Sequence, residues 1–571
     1  MSQLGNISIL EWSQLAPRYE ALLQEPLGDS QLEKFLHDWS KLQEDVDETE
    51  NLLRLRVDLN TADDNAAAAL RRFNDQTLPR VTEQNAALRA KALAAPRKDL
   101  RPGIAIVLRR MQTDQDVYRP ENVPLESEHA NLVLEYSRIS GRMEVDTPEG
   151  KITVPAAVDR LRLPERRARE AIWHAWQTTR LAVAPTLDEL FLKLHAIRQQ
   201  MARNSQLDNY RSLIWHQYHR YDYTPEDCYA FHQSIETEVV PFATELLEEH
   251  RAALQVPTLK PWDFYWRAPV DPLQRPPLQP FQDVSDLITG MQRVFSRLDP
   301  ELGTQFAAMQ EGWMDLESRP NKMAHAYCTA FPKRQMPFVL QNVVGSAHDI
   351  ATALHEFGHA FHGYASMRSQ PLVWNHFSAT EFVEVPSQAM EVLALPLLHR
   401  DRGGFYAEDE LQRVTQIQIA TIVHLLTWIG FMDAMQHWMY AEVGPGQLTI
   451  ADIDAKAVET LRRFMPQTDW SGCEREQRKV WQYHHIFTAP FYYIEYGIAW
   501  LGALQIWRNS LQDRDRTVGQ YRAALALGNS RPVPELFEAA GAKFAFDRET
   551  LRELVGFLRE QRTSPTASGV L

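Results

Sequence analysis

The chain has 571 residues, which is more than one hydrophobic core usually serves, so we expect more than one domain or a large two-lobed body. Its hydrophobic share of 44% and charged share of 24% are those of an ordinary globular protein. The formal net charge of -15 disfavours nucleic acid and membranes as partners, because nucleic acid and anionic lipid surfaces both require a basic face.

Cysteine usage and the amino-terminal sequence predict a cytoplasmic protein. The three cysteines are far apart and show no Cys-x-x-Cys spacing, and the first residues have neither a basic start nor an apolar run typical of a secretory signal. The longest apolar run, residues 419–432, is shorter than the roughly 18 residues of a membrane span. Because it also contains His424, we interpret it as a buried helix.

The first half of the chain is predicted to be mostly helical. Residues 29–96 carry apolar side chains at spacings of three and four, interrupted near residues 58–64, which predicts a helical hairpin. Alternating residues around a Thr-Pro-Glu-Gly turn predict a β-hairpin over residues 143–155. Helices then resume over residues 163–254.

The most informative segment is HEFGHAFH, residues 355–362. On a helix, His355 and His359 share one face with Cβ atoms about 6 Å apart, so two neutral imidazoles can reach one metal ion. Glu356 stands beside them, where a carboxylate can take a proton from a water molecule at the metal and return it to a leaving amine.

The residues before this segment support its assignment to a helix. Residues 336–344 are predicted to be extended and to turn at Gly345. Ser346 followed by Asp349 resembles a capping box, which begins a helix. Gly358 lowers helix propensity by about 1 kcal/mol relative to alanine, so we expect a closely approaching backbone or substrate at that position.

A third ligand is needed, and Glu384, 29 residues after His355, is the strongest candidate. Two histidines and one carboxylate leave the fourth zinc position open, which is the catalytic arrangement. Glu381 and Glu391 are alternatives, and Glu391 is also suited to support a ligand histidine. His362 shares the histidine face, but a fourth protein ligand would close the site, so we interpret it as a packing residue.

A last motif covers residues 484–496, HHIFTAPFYYIEY. Pro490 suits the first turn of a helix, which would place Tyr492, Tyr493 and Tyr496 within about one turn. A phenol can donate a hydrogen bond to the oxyanion that forms when an amide is attacked, an effect worth about 3 kcal/mol per donor.

These motifs resemble those of the thimet oligopeptidase and oligoendopeptidase F family of zinc metallopeptidases. Similarity spans roughly residues 120–510 and is closer to the oligoendopeptidase F branch. The segments that carry it are residues 138–145, 326–332, 338–345, 355–362, 382–388 and 484–496. The resemblance implies a mainly α, two-lobed helical metallopeptidase with a deep substrate channel and a small β-sheet next to the zinc-binding helix.

The resemblance also implies roles for individual residues. One Zn2+ per chain would be bound by His355, His359 and Glu384, with Glu356 as the general base. Tyr496 would stabilise the transition state.

Substrate contacts are implied for His485 and Tyr493. His484 is the alternative to His485, because the thimet branch places its histidine twelve residues before the last tyrosine and the oligoendopeptidase F pattern fits the next position. The implied domains are an N-terminal helical domain over residues 1–120 and a catalytic domain over residues 121–571, with the metal-bearing half at about residues 281–510.

The expected activity is zinc-dependent hydrolysis of short oligopeptides at internal bonds. Residues 338–342 are expected to pair with the substrate as a β-strand, which would bind peptides without regard to side chains. Two alternatives stay open: a helical zinc carboxypeptidase and a catalytically inactive peptide-binding protein.

Overall fold

The structure is a computed structural model that describes residues 7–28, 31–96, 100–265, 268–269, 275–323, 325–444 and 446–563. Within these residues the chain is mainly helical, with three small β-sheets. The α-helices are α1 (Trp12–Gln24), α2 (Leu32–Leu59), α3 (Asp64–Arg72), α4 (Leu78–Ala94), α5 (Pro102–Val117), α6 (Val123–Gly141), α7 (Val154–Asp159), α8 (Arg166–Asn204), α9 (Tyr210–Gln217), α10 (Pro225–Ser234), α11 (Val240–Leu254), α12 (Val284–Leu298), α13 (Pro300–Met309), α14 (Ala347–Ser369), α15 (Thr380–Val383), α16 (Val385–Leu393), α17 (Glu408–His437), α18 (Ile450–Phe464), α19 (Glu474–Arg478), α20 (His484–Thr488), α21 (Tyr493–Ser510), α22 (Arg514–Leu527), α23 (Val533–Ala539) and α24 (Arg548–Thr563). The strands are β1 (Glu144–Thr147), β2 (Gly150–Thr153), β3 (Phe264–Tyr265), β4 (Ala268–Pro269), β5 (Met314–Glu317), β6 (Tyr327–Phe331) and β7 (Met336–Val343).

The amino-terminal helices form the predicted hairpin, with α2 and α4 joined through α3. They have a hydrophobic core of their own, whose buried members lie between Leu15 and Met111 except for Leu372. The main core extends over most of the remaining chain. The domain boundary between residues 120 and 121 stays a prediction.

The predicted β-hairpin over residues 143–155 is confirmed, because β1 and β2 pair antiparallel with Val145 opposite Ile152. The buried helix predicted over residues 419–432 is also confirmed and lies within α17. Among the described helices, one stretch, Glu408–Glu442, is long and apolar enough to cross a bilayer, and 61% of its most apolar window is buried inside the protein.

The three-stranded sheet has the order β5-β7-β6 and packs against α14. Strand β7 confirms the predicted extended segment, but it is the central strand, parallel to β5 and antiparallel to β6. The expectation that residues 338–342 pair with substrate is therefore wrong, since both neighbours of β7 are already protein strands. The outer strand on the antiparallel side is β6.

Helix α14 begins as predicted, because Ser346 and Asp349 form a capping box. It crosses α16 so closely that a Cβ atom at Gly358 would lie 2.6 Å from Ser387 Cα and 2.7 Å from the Pro386 carbonyl oxygen. The glycine is therefore required by the approach of another backbone, as its cost to the helix suggested. This contact brings the segment of Glu384 against the histidine face.

The helix predicted to begin at Pro490 begins at Tyr493 instead. Residues 489–492 form a turn in which Phe491, which is fully buried, has a left-handed φ of 64°. A left-handed residue cannot continue an α-helix, so the regular hydrogen bonding starts only after it.

Candidate metal centre and active site

The structure brings His355, His359 and Glu384 together. Their ligand atoms all lie within 4.8 Å of one another, and Glu384 Oε2 is 3.4 Å from Nε2 of each histidine. Ligand atoms about 2.05 Å from a tetrahedral zinc ion stand about 3.3 Å apart, so these three donors fit zinc. The histidine side chains remain 27% and 17% exposed, which leaves the site open to a further ligand.

Glu391 supports the first histidine, as the sequence suggested. Its Oε1 atom accepts a hydrogen bond from His355 Nδ1 at 2.8 Å, and its Oε2 atom accepts one from Gln418 Nε2 at 2.8 Å. With the Nδ1 proton pointed at Glu391, the Nε2 lone pair of His355 faces Glu384 and the metal position. Glu381, the other rival for the third ligand, is fully buried beside Glu495 and is not part of this cluster.

Glu384 lies at the junction of α15 and α16, with each oxygen held differently. Ser387 Oγ donates to Oε2 at 3.1 Å, and Tyr492 Oη donates to Oε1 at 3.3 Å. Burial alone would raise the pKa of Glu384, but His359 and His355 hold it well below its usual value. Burial alone would lower the pKa of His355, but Glu384 and Glu391 raise it well above its usual value.

Glu356 follows His355 on the same turn of α14 and is 7% exposed. Burial raises the pKa of its carboxyl, and the neighbouring His355 and His359 offset part of that rise. Burial is the main cause that raises the pKa of the Cys328 thiol in β6. Glu356 raises this pKa further, which places Cys328 close to Glu356. The edge strand and the predicted base thus line the same region.

His362 is a packing residue, as predicted. It is fully buried, and its Nε2 atom pairs with Ser378 Oγ at 2.9 Å. Burial, with a smaller contribution from His359, lowers the pKa of His362 to about 3, so the ring is neutral. It is not part of the group of ligand atoms.

The carboxy-terminal motif forms a cluster of aromatic rings around His485. The ring centroid of His485 lies 4.8 Å from that of Tyr493 and 6.0 Å from that of Tyr496. Tyr496 is half-buried, whereas Tyr493 is 1% exposed. His484 points elsewhere, with Thr488 Oγ1 3.1 Å from its Nε2 and the Tyr136 ring 5.8 Å away. The geometry therefore associates His485, and not His484, with Tyr496.

Tyr492 is the site residue that sequence reasoning passed over. Its ring lies 5.5 Å from that of Tyr496, and its hydroxyl donates a hydrogen bond to Glu384, a member of the ligand cluster. Burial, followed by Glu384, raises the pKa of this phenol, so it stays a hydrogen-bond donor. Spacing within three neighbouring tyrosines contains no signal that would single it out.

A second group of potential ligands, Cys228, Asp433 and His437, is fully buried. Arg211 Nη1 lies 3.2 Å from His437 Nδ1 and can only donate, so Nδ1 must be an acceptor. The proton of the neutral ring then lies on Nε2, which is 3.4 Å from Asp433 Oδ2. A protonated Nε2 cannot bind a metal, so these residues do not fit one.

The sequence profile of peptidase family M3 matches residues 161–556, which is more than half of the chain. The chain belongs to this family. The predicted resemblance to the thimet oligopeptidase and oligoendopeptidase F peptidases is thereby confirmed. A curated relative, oligopeptidase PepF of Bacillus subtilis (strain 168), is 23% identical over 255 residues, which are 42% of this chain. The match spans 36% of that relative's own length.

Solved structures share the fold over nearly the whole chain. PZ peptidase A with inhibitor 2 has a TM-score of 0.88 and 22% identity, over 99% of this chain and 100% of that one. A protein of Bacillus anthracis str. Ames described as an oligoendopeptidase F has a TM-score of 0.84 and 20% identity, over 98% and 97%. The predicted mainly α metallopeptidase fold, with a small sheet beside the metal-binding helix, is confirmed; the deep channel stays a prediction.

Proposed function

We propose that this M3 peptidase is a zinc-dependent endopeptidase that hydrolyses short oligopeptides in the cytoplasm. The observation that carries the proposal is the convergence of His355, His359 and Glu384, with Oε2 of the glutamate 3.4 Å from both imidazoles and Glu356 on the same turn. Zinc with two histidines and one carboxylate is the donor set of catalytic sites. The net charge of -15 argues against nucleic acid and anionic membranes as partners, and oligopeptides are the proposed substrates.

Zinc held by these three residues would supply a Lewis acid that lowers the pKa of a water molecule and polarises the scissile carbonyl. Glu356 would accept the proton of the attacking water. It would then transfer this proton to the departing amide nitrogen, so that one water and one peptide bond give a carboxylic acid and an amine. Its low exposure keeps bulk water from competing for that proton.

Tyr496 would donate a hydrogen bond to the negative oxygen that replaces the carbonyl during attack, lowering the barrier by about 3 kcal/mol. His485 is a proposed substrate contact. Tyr493, predicted as a second contact, is 1% exposed and packs against His485, with ring centroids 4.8 Å apart. The Tyr496 ring contacts the Tyr492 ring, and the Tyr492 hydroxyl donates a hydrogen bond to Glu384. The aromatic cluster and the metal ligands are therefore parts of one site.

The deciding experiment is mass spectrometry of a peptide library incubated with wild type and with Glu356→Gln. We expect the variant to keep one zinc per chain and to lose about 10⁴-fold or more in cleavage rate, because the amide cannot accept the proton. Equal cleavage by both proteins would refute the assigned base. A wild-type protein that binds zinc and cleaves no peptide would support the inactive peptide-binding alternative.

Peptides with both termini blocked and an internally quenched fluorophore separate the two enzyme classes. An endopeptidase cuts them, and a carboxypeptidase does not, since it needs a free terminal carboxylate. Cleavage at internal bonds is the expected result. The length series in the same library tests the restriction to short peptides, and fractionation of cells tests the cytoplasmic location.

A further inference from the structure

The turn before α21 is held in an unfavourable conformation by groups from two other segments. Phe491 has φ 64°, which bulky L-residues rarely adopt, and it is fully buried. Its N–H donates to Gln436 Oε1 at 2.6 Å, and its carbonyl oxygen accepts from Arg220 Nη2 at 2.5 Å. Both backbone polar groups of Phe491 are thus hydrogen-bonded to buried side chains.

Arg220 also holds the first turn of α21. Its Nε and Nη2 atoms lie 3.1 and 2.5 Å from Glu495 Oε1, and the side chains of both residues are 0% exposed. The guanidinium itself lies over the Trp215 ring at 4.4 Å. One rigid fork therefore binds the chain at residues 491 and 495, on both sides of Tyr492.

Glu495 connects this clamp to the segment of the third metal ligand. Its Oε1 atom lies 3.3 Å from Thr380 Oγ1, and Thr380 begins the short helix α15, which ends at Val383, directly before Glu384. Tyr492 Oη lies 3.3 Å from Glu384 Oε1. The two segments are thus joined at two points, once through the buried ion pair and once at the metal ligand.

We propose that Arg220 and Glu495 are positioning residues of the metal site, acting through Tyr492. By holding the left-handed turn at Phe491, they aim the Tyr492 hydroxyl at Glu384 Oε1. This leaves Oε2, which is 3.4 Å from both histidines, as the oxygen directed to the metal. The inference rests on the proposed function in one respect, namely that Glu384 is a zinc ligand.

A buried ion pair away from the metal site provides the control for this inference. Arg169 and Asp263 form another buried pair, with both side chains 0% exposed and further bonds from Arg169 to the carbonyls of Leu163 and Pro164. Among the residues that the structure describes, neither of the two contacts the metal ligands or the tyrosine motif. Arg169→Lys is therefore the matched control for loss of a buried guanidinium.

The test measures the zinc dissociation constant by competition with a chelator, and kcat/KM, for Arg220→Lys, Tyr492→Phe and the double variant. Lysine keeps the charge but cannot bond Phe491 and Glu495 through one planar fork. Each single variant is expected to bind zinc about 10-fold more weakly and to lose about 10- to 100-fold in kcat/KM. If Arg220 acts through Tyr492, the double variant resembles Tyr492→Phe alone. Arg169→Lys should leave zinc affinity unchanged.

A double variant whose loss equals the product of the two single losses would overturn the inference, as would a wild-type zinc affinity in both single variants. Should Arg220→Lys fail to fold, Thr380→Val replaces it, because it removes the hydroxyl that lies 3.3 Å from Glu495 Oε1 and 3.2 Å from Glu381 Oε2. Its smaller loss must likewise vanish in the Tyr492→Phe background.

Zinc affinity is measured without any substrate. A wild-type protein that binds zinc but cleaves no peptide would end the proposed function and leave this inference standing. An active enzyme in which the double variant shows the product of the two single losses would support the proposed function and overturn this inference.

Discussion

His355 Nδ1 lies 2.8 Å from Oε1 of Glu391, a residue 36 positions later in the chain. This hydrogen bond fixes the tautomer of the first histidine, because the proton on Nδ1 leaves the Nε2 lone pair toward Glu384. Glu391 is fixed in turn by Gln418, which donates to its other oxygen. Glu391 and Gln418 therefore fix the orientation of the His355 ring.

Glu391→Gln should weaken zinc binding by about 10-fold, because a neutral amide accepts the Nδ1 proton less strongly and makes the ligand less basic. Chelator competition measures the change. Asp263→Asn is the control: it removes a fully buried carboxylate that is paired with Arg169 and lies apart from the histidines, and zinc affinity should stay at the wild-type value. Equal losses in both variants would contradict the assignment of Glu391.

Gly358→Ala should lower the free energy of unfolding by about 1–3 kcal/mol. The new methyl group would meet the backbone at Ser387 and Pro386, which cannot turn away as a flexible side chain can. Because Glu384 lies two residues before Pro386, zinc affinity should fall as well.

Gly519→Ala in α22 is the control, since a Cβ atom there meets nothing within 4 Å. It should stabilise the protein by about 0.5–1 kcal/mol. Chemical denaturation measures both changes. A Gly358→Ala protein as stable as wild type would show that α14 and α16 do not need this close approach.

His424→Leu should change how stability depends on pH. Burial, with a smaller effect of His250, lowers the pKa of His424 to about 4. Below pH 6.5 the unfolded chain binds a proton that the folded ring does not, so this histidine reduces stability as pH falls. Removing it should raise the unfolding free energy at pH 5 by about 2 kcal/mol relative to its effect at pH 8. Parallel curves for wild type and variant would contradict a buried neutral ring.

Zinc removal should abolish peptide cleavage and leave the fold intact. The ligands lie on α14 and at the start of α16, whose apolar residues belong to the main core. We expect o-phenanthroline to eliminate activity, zinc addition to restore it, and the far-ultraviolet circular dichroism spectrum to stay unchanged. A large loss of helical signal on chelation would indicate instead that the metal is needed for folding.

Local periodicity explains why the metal helix could be predicted. The spacing of His355 and His359 places them on one face of any α-helix, and the Ser346 capping box is a contact over three residues. The support of His355 by Glu391 also followed from spacing, because Glu391 shares a helix face with Glu384. Spacing alone does not decide the third ligand, since Glu381 and Glu391 are alternatives to Glu384, and the family resemblance favours Glu384.

Long-range contacts explain what the sequence did not reveal. The position of β7 in the middle of its sheet depends on β5, which comes earlier in the chain and pairs parallel to it. The start of α21 at Tyr493 depends on Arg220, which binds the Phe491 carbonyl from 271 positions away. The sequence around β7 does not indicate its pairing with β5, and the sequence around Phe491 does not indicate its contact with Arg220.

By itself the sequence determined the chemistry of this protein: a helix with two histidines and a glutamate, a third carboxylate downstream and a tyrosine-rich motif. Only the tertiary structure decided that Tyr492 contacts Glu384. Three phenols within five residues are equivalent in pattern, and the left-handed turn at Phe491 gives the Glu384 contact to Tyr492. Helical spacing is set by bonds within a few residues, whereas that turn is held by side chains from distant segments whose packing must first bring them together.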